Sequence, residues 1–202
     1  MKKTLYSLHP DQYPDMEKEF TETTAEGTRQ YTTGQVILAR KTAIVQARVL
    51  TEDTIVDTRP RVRVDGREYT FIETLNTAPA GSIVITNPDG EEYVLKDQWK
   101  TLKIDGVVQY DENGEEKKYL VTAQEQFAAK YQAVEGGFVA IEGPKHFEVT
   151  TQDICFAASW GEMQFAPAGS YICTEYGPGE EYSVTNSAFE ATYEPEVSTM
   201  DD

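Results

Sequence analysis

The sequence has little sulfur, little imidazole and no long apolar run. Its two cysteines, Cys155 and Cys173, form no CxxC pair, which argues against a zinc site or a dithiol centre. Each stands among apolar neighbours (Ile154 and Phe156, or Ile172), so both are expected as reduced core residues. A disulfide would require their two strands to be neighbours. The two histidines, His9 and His146, give a histidine-based metal site or a nucleophile–base pair little to build on, and His146, alternating with Phe147, reads as an ordinary strand residue. Apolar runs are strand-sized, as in Val36–Ala39, and too short for a bilayer. Lys2 and Lys3 are followed by Leu5–Leu8 and then His9, Pro10 and Asp11, with no signal-type apolar region. The expectation is a cytoplasmic protein without a membrane partner.

Chemical motifs are missing too. There is no Walker loop, Gly-x-Gly-x-x-Gly, Gly-x-Ser-x-Gly or His-Glu-x-x-His. Asp111, Glu112, Asn113 and Gly114 open like a calcium loop, but the later glutamate ligand is not met and a hairpin turn accounts for Asn-Gly. No metal, cofactor or catalytic residue is assigned.

What is present is a chain of 202 residues with 39% hydrophobic, 26% charged and 11% aromatic residues. That is too rich in core formers for disorder, and a chain of this length buries about 70% of its extended-state surface. The net charge of −17 disfavours unspecific nucleic-acid binding. It is unevenly spread: residues 1–67 carry 11 basic and 10 acidic groups, and the rest 7 and 25. All seven arginines, from Arg29 to Arg67, lie in the first third.

Internal similarity organises the chain. Ala78, Pro79, Ala80, Gly81, Ser82 recur as Ala166, Pro167, Ala168, Gly169, Ser170. Ile83–Thr86 answers Tyr171–Thr174, and Gly90, Glu91, Glu92, Tyr93 answer Gly179, Glu180, Glu181, Tyr182. A partial third copy begins at Gly114: Tyr119, Val121 and Thr122 match Tyr182, Val184 and Thr185, while Phe127, Ala129 and Tyr131 match Phe189, Ala191 and Tyr193. Duplication is the economical explanation. Each copy reads as a Pro-x-Gly turn, a short apolar strand, a reversing loop and a second strand beginning at the Tyr. Phe127 with Tyr131 and Phe189 with Tyr193, spaced i,i+4, predict short helices after the second and third copies. In the first copy Trp99 stands where the Phe would be and the helix is expected to be lost.

Asp65-Gly66 and Asp105-Gly106 predict two-residue hairpins. Val36–Ala39, Ala43–Leu50, Phe138–Ile141, His146–Thr150 and Gln164–Phe165 read as strands, and Ala123–Gln132 as a helix. The expected fold is α+β, strand-dominated, with tandem-repeated β-hairpin units and short helices. Its divisions are an irregular segment at 1–33, repeat-containing lobes at 34–133 and 134–195, and an acidic tail at 196–202. The recurring aromatics Tyr93, Trp99, Tyr119, Phe127, Tyr131, Tyr171, Tyr182, Phe189 and Tyr193 are expected in the core, with Trp160 partly exposed.

The stretch Ser159–Glu194 carries Trp160, Gly161, Glu162; Gly169, Ser170, Tyr171, Ile172; Glu180, Glu181, Tyr182; and Phe189 through Glu194. It resembles an uncharacterised small domain recurring in bacterial and phage proteins, with a Gly-Asp-Tyr-Leu-like strand and a terminal Phe-x-x-Thr-Tyr-Glu element. Ser170 departs from the usual Asp. The resemblance covers about a sixth of the chain, its residues are turn and core types, and it implies a prokaryotic or phage origin and a shared small fold, with no activity attached.

One constellation stands out as a ligand site. Arg59, Arg61 and Arg63, at strand period two, share a face; Arg67 lies across the Asp65-Gly66 turn within reach of Arg63; and Tyr69 offers a stacking surface. With Trp160 these form the candidate binding set. The bland alternative is that the arginines face the acidic body. The expected function is a non-enzymatic binding protein, phage or mobile-element associated, taking a small anionic ligand (a nucleotide among the candidates) or a host protein, and compatible with homo-oligomerisation. A structural or assembly module is the alternative, and a carboxylate-based hydrolase the third reading.

Overall fold

The computed structural model of the chain describes residues 2–7, 16–23, 33–159, 163–176 and 180–196. A hairpin of β1 (Lys2–Ser7) and β2 (Met16–Glu22) comes first, followed by a long strand β3 (Thr33–Lys41). The chain then runs through β4 (Gln46–Val49), β5 (Thr54–Thr58), β6 (Arg61–Val64), β7 (Arg67–Thr70), β8 (Thr74–Ala78), β9 (Ile83–Thr86) and β10 (Glu92–Leu95). An arm of β11 (Gln98–Thr101), β12 (Lys103–Ile104), β13 (Val107–Val108) and β14 (Lys118–Val121) leads into helix α1 (Ala123–Lys130). The remainder is β15 (Tyr131–Val134), β16 (Gly137–Ala140), β17 (Lys145–Thr150), β18 (Ile154–Ala157), β19 (Met163–Ala166), β20 (Tyr171–Cys173), β21 (Tyr182–Val184), helix α2 (Asn186–Thr192) and β22 (Tyr193–Pro195). The described fold is thus strand-dominated, with two short helices.

Matching turn chemistry produces matching geometry in two places. Gly81 and Gly169 sit at φ +90° and +89°, a region that side chains with a Cβ avoid. Gly81 donates its N–H to Leu50 O and Gly169 to Thr150 O (2.8 and 2.7 Å). Asp53 caps Ala80 N–H and Asp153 caps Ala168 N–H (2.9 and 2.8 Å). Each helix starts at a threonine, Thr122 or Thr185, whose side chain accepts from the third helical N–H, and ends where a tyrosine N–H, Tyr131 or Tyr193, donates to Phe127 O or Phe189 O. The i,i+4 ring pairs stack, Phe127 on Tyr131 at 5.2 Å and Phe189 on Tyr193 at 5.1 Å.

The lobes expected at 34–133 and 134–195 exchange strands. β3, from the first, lies between β17 and β22 in a five-stranded sheet ordered β21-β20-β17-β3-β22. β16, which precedes β17, pairs with β15 and bridges through Phe138 to Val45, beside the β10-β9-β4 sheet. The helix expected to be lost to the first hairpin is supplied from further along: α1 packs on β9, β10 and β15, with its Ala123 N–H held by Asp97 at 2.8 Å. The arm is the detour that delays it. Trp99 and Tyr119, expected in the core, belong to this two-stranded ribbon and are 68% and 47% exposed, because a ribbon offers no second layer to pack on.

The segment 1–33, expected to be irregular, holds β1 and β2 in a six-pair antiparallel ladder, and β2 runs parallel to β18. Phe20 anchors it, fully buried with Val62, Phe71 and Cys155 and edge-on to Phe165 at 5.2 Å. Those partners are distant in sequence, so local pattern carried no sign of them. At the start of the tail expected at 196–202, just after β22 pairs with β3, Glu196 bonds Arg40 at 3.1 Å. Cys155 and Cys173 are free and buried in separate clusters.

Candidate functional site

The arginine face is occupied by the protein itself. Arg59 pairs with Asp57 at 2.5 Å. Arg61 donates to Asp89 O at 2.8 Å. Arg63 bonds Glu68 at 2.8 Å and Glu190 at 3.1 Å, and the Glu190 hydrogen bond, then its charge, holds the guanidinium above its ordinary pKa. The β6 backbone is tied down as well: Asn186 accepts from Arg63 N–H and donates to Arg63 O, both at 2.8 Å, and Thr185 donates to Arg61 O. Arg67 and Tyr69 project from the other face than expected. The two-residue turn sets Arg67 opposite Val64 and Tyr69 opposite Val62, and directly opposed residues share a face. Tyr69 consequently packs on the Phe20 core and is not a free stacking platform. Trp160 lies outside the described residues.

A concavity lies elsewhere, a cavity of about 760 Å³ with walls from both parts of the chain. Lys41 closes β3 opposite Tyr193 of β22, yet its ammonium crosses to the other sheet, donating to Asn87 Oδ1 at 3.3 Å and to the Tyr93 hydroxyl at 3.4 Å. Asn87 begins the Asn-Pro-Asp-Gly reversal between β9 and β10, closed by Gly90 N–H to Asn87 O at 2.9 Å. That turn folds Asn87 Nδ2 onto Glu91 Oε2 at 2.9 Å. The Tyr93 and Tyr131 hydroxyls are hydrogen-bonded to each other. Across the cavity Lys145 pairs with Glu142 and stands over the rings of Tyr176 and Tyr182, at 5.3 and 5.9 Å from their centroids.

Burial dominates the electrostatics. It lowers the Lys41 pKa, with nearby Glu91 opposing and nearby Lys145 reinforcing the shift. Burial, aided by the Asp89 charge, pushes Glu91 up to about 7 against the hydrogen bond from Asn87. Burial also raises Tyr93, Tyr131 and Tyr182 and moves Tyr193 up to about 12, so all four phenols stay protonated at neutral pH. Lys145 differs: burial works against its charge, but the bonds to Glu142 and Tyr176 prevail and its pKa is raised.

The chain matches no protein-family model, curated protein or solved structure. Among the described residues no group of three or more His, Cys, Asp and Glu could hold a metal ion, and no helix is long and apolar enough to cross a membrane.

Sequence reasoning assigned Tyr93, Tyr131, Tyr182 and Tyr193 to the core and singled out neither Lys41 nor Asn87. Both views of the tyrosines hold in part, since the rings join core clusters while the residues line the cavity. A usable signal existed. The Gly-Glu-Glu-Tyr correspondence puts Glu91 with Tyr93 and Glu180 with Tyr182 at matching places, and all four line this cavity.

Proposed function

We propose that the chain is a non-enzymatic binding protein, built from two fused copies of a β-hairpin–helix unit, which holds a small ligand bearing an anionic group in the cavity between them. The paired turns at Gly81 and Gly169 and the paired helix caps support the duplication. The observation that carries the ligand reading is Lys41. Its half-buried ammonium faces a 760 Å³ space and, among the described residues, bonds only neutral oxygens, both at long range. Buried charges are ordinarily paired, and a cavity of this size suits a small molecule. The resemblance of Ser159–Glu194 supports a phage or mobile-element association.

Thermal-shift titration with carboxylates, phosphates and nucleotides tests this. At least one should raise the melting temperature of the parent protein and fail to do so with Lys41→Met, whereas a flat response across the panel refutes the reading.

The arm favours assembly as a second reading. Trp99 and Leu120 oppose each other across it and are 68% and 41% exposed, with Ile104 and Val107 exposed at its tip. Light scattering on the parent and on Trp99→Ser checks this: a higher-order species dissolved by the substitution supports it, and a monomer at all concentrations rejects it.

A further inference from the structure

In the cavity wall a cation and a carboxyl group stand close without meeting. Asn87 separates them, its Oδ1 accepting from Lys41 and its Nδ2 donating to Glu91. Desolvating two groups of opposite sign is costly, and the cost is recovered only if each finds a counter-charge in good geometry. These two do not find one in each other. The lysines and glutamates lining the cavity are equal in number, Lys41, Lys100, Lys130 and Lys145 against Glu73, Glu91, Glu142 and Glu180. A ligand carrying both signs is therefore accommodated better than one carrying a net charge.

We propose that the ligand is a free α-amino acid with a large side chain, its carboxylate on Lys41 and its ammonium on Glu91. This rests on the cavity being the binding site. The two head groups of an α-amino acid sit on one carbon, so a single molecule reaches both ends of the short Lys41–Asn87–Glu91 chain. The tyrosine pair adds a donor: with Tyr93 and Tyr131 bonded hydroxyl to hydroxyl, one of the two O–H protons serves that bond and the other remains for the carboxylate. The head group fills a small part of 760 Å³, and the rest is bounded in part by Tyr176, Tyr182 and Tyr193, which suits an aromatic or long aliphatic side chain.

Calorimetric titration of the full chain with amino acids, their N-acetyl derivatives and their carboxamides decides the matter. Bonds to charged groups make each blocked analogue weaker than the free amino acid by roughly 10- to 100-fold. Glu91→Gln should shrink the penalty for N-acetylation while leaving that for amidation, and Lys41→Met should do the reverse. The analogue series on the parent protein carries the test even if a variant fails to fold. An N-acetyl derivative binding as tightly as its parent overturns the proposal. If that binding is abolished by Lys41→Met, the anion-binding function survives and only the zwitterion is lost. Silence from amino acids, analogues and simple anions alike overturns both.

Discussion

Lys41 and Glu91 share one cavity wall and are bridged by Asn87, whose carboxamide accepts a hydrogen bond from the lysine and donates one to the glutamate. The wall is built from strands that belong to different sheets, and its stability should reveal the strain of unpaired charge.

Glu91 is the first place to measure it. Its pKa rises from 4.5 to about 7 on folding, so between those values the folded chain keeps a proton that the unfolded chain releases. Stability should fall as pH climbs through that window, by roughly 3 kcal/mol at most. Glu91→Gln should flatten this slope in urea titrations from pH 4.5 to 8 and raise stability at pH 8.

Lys41→Met should stabilise the ligand-free protein by about 1–2 kcal/mol, since it replaces a desolvated ammonium by an apolar chain of similar length. A higher melting temperature combined with lost ligand response is the expected signature of a residue kept for binding.

Phe20→Ala should destabilise by about 3–5 kcal/mol, the usual cost of emptying a fully buried aromatic site, because Phe20 closes the cluster of Val62, Phe71 and Cys155. Loosening β2 should expose the Cys155 thiol to a disulfide reagent sooner than that of Cys173, which lies in the Phe147–Phe189 cluster. Mass mapping of the labelled cysteine checks the order.

Gly81→Ala and Gly169→Ala should each cost about 1–2 kcal/mol or more from backbone conformation alone. Their φ values match and a Cβ meets nothing closer than 3.7 Å at either site. Similar losses in denaturant titration are expected, and a much larger one at either position would mean its surroundings differ.

Local chemistry made much of this fold legible. Asp65-Gly66 and Asp105-Gly106 encode their hairpins at short range, with positive φ at all four residues, and Thr122 with Glu125 writes a capping box into the start of α1. What stayed hidden depends on distant partners. β2 has one fully buried aromatic, Phe20, and its strand neighbour β18 lies more than a hundred residues away. The arginine triplet pointed to a site because its spacing is local; Asp57 and Glu68 engage it from nearby, whereas Glu190 arrives from α2. Lys41 gave no signal, since nothing near it in sequence foretells that its ammonium ends beside Asn87 and Tyr93.

The exchange of β3 and β16 bears on how a ligand can be held. Two-domain binders commonly close like jaws about a hinge, but here a strand passes each way between the parts. Swinging them open would break the Tyr193–Lys41 pairing on one side and the Val45–Phe138 bridge on the other. On the proposed reading the cavity is a fixed cradle whose affinity is set by preorganisation, and small-angle scattering with and without a binding ligand should show the same radius of gyration.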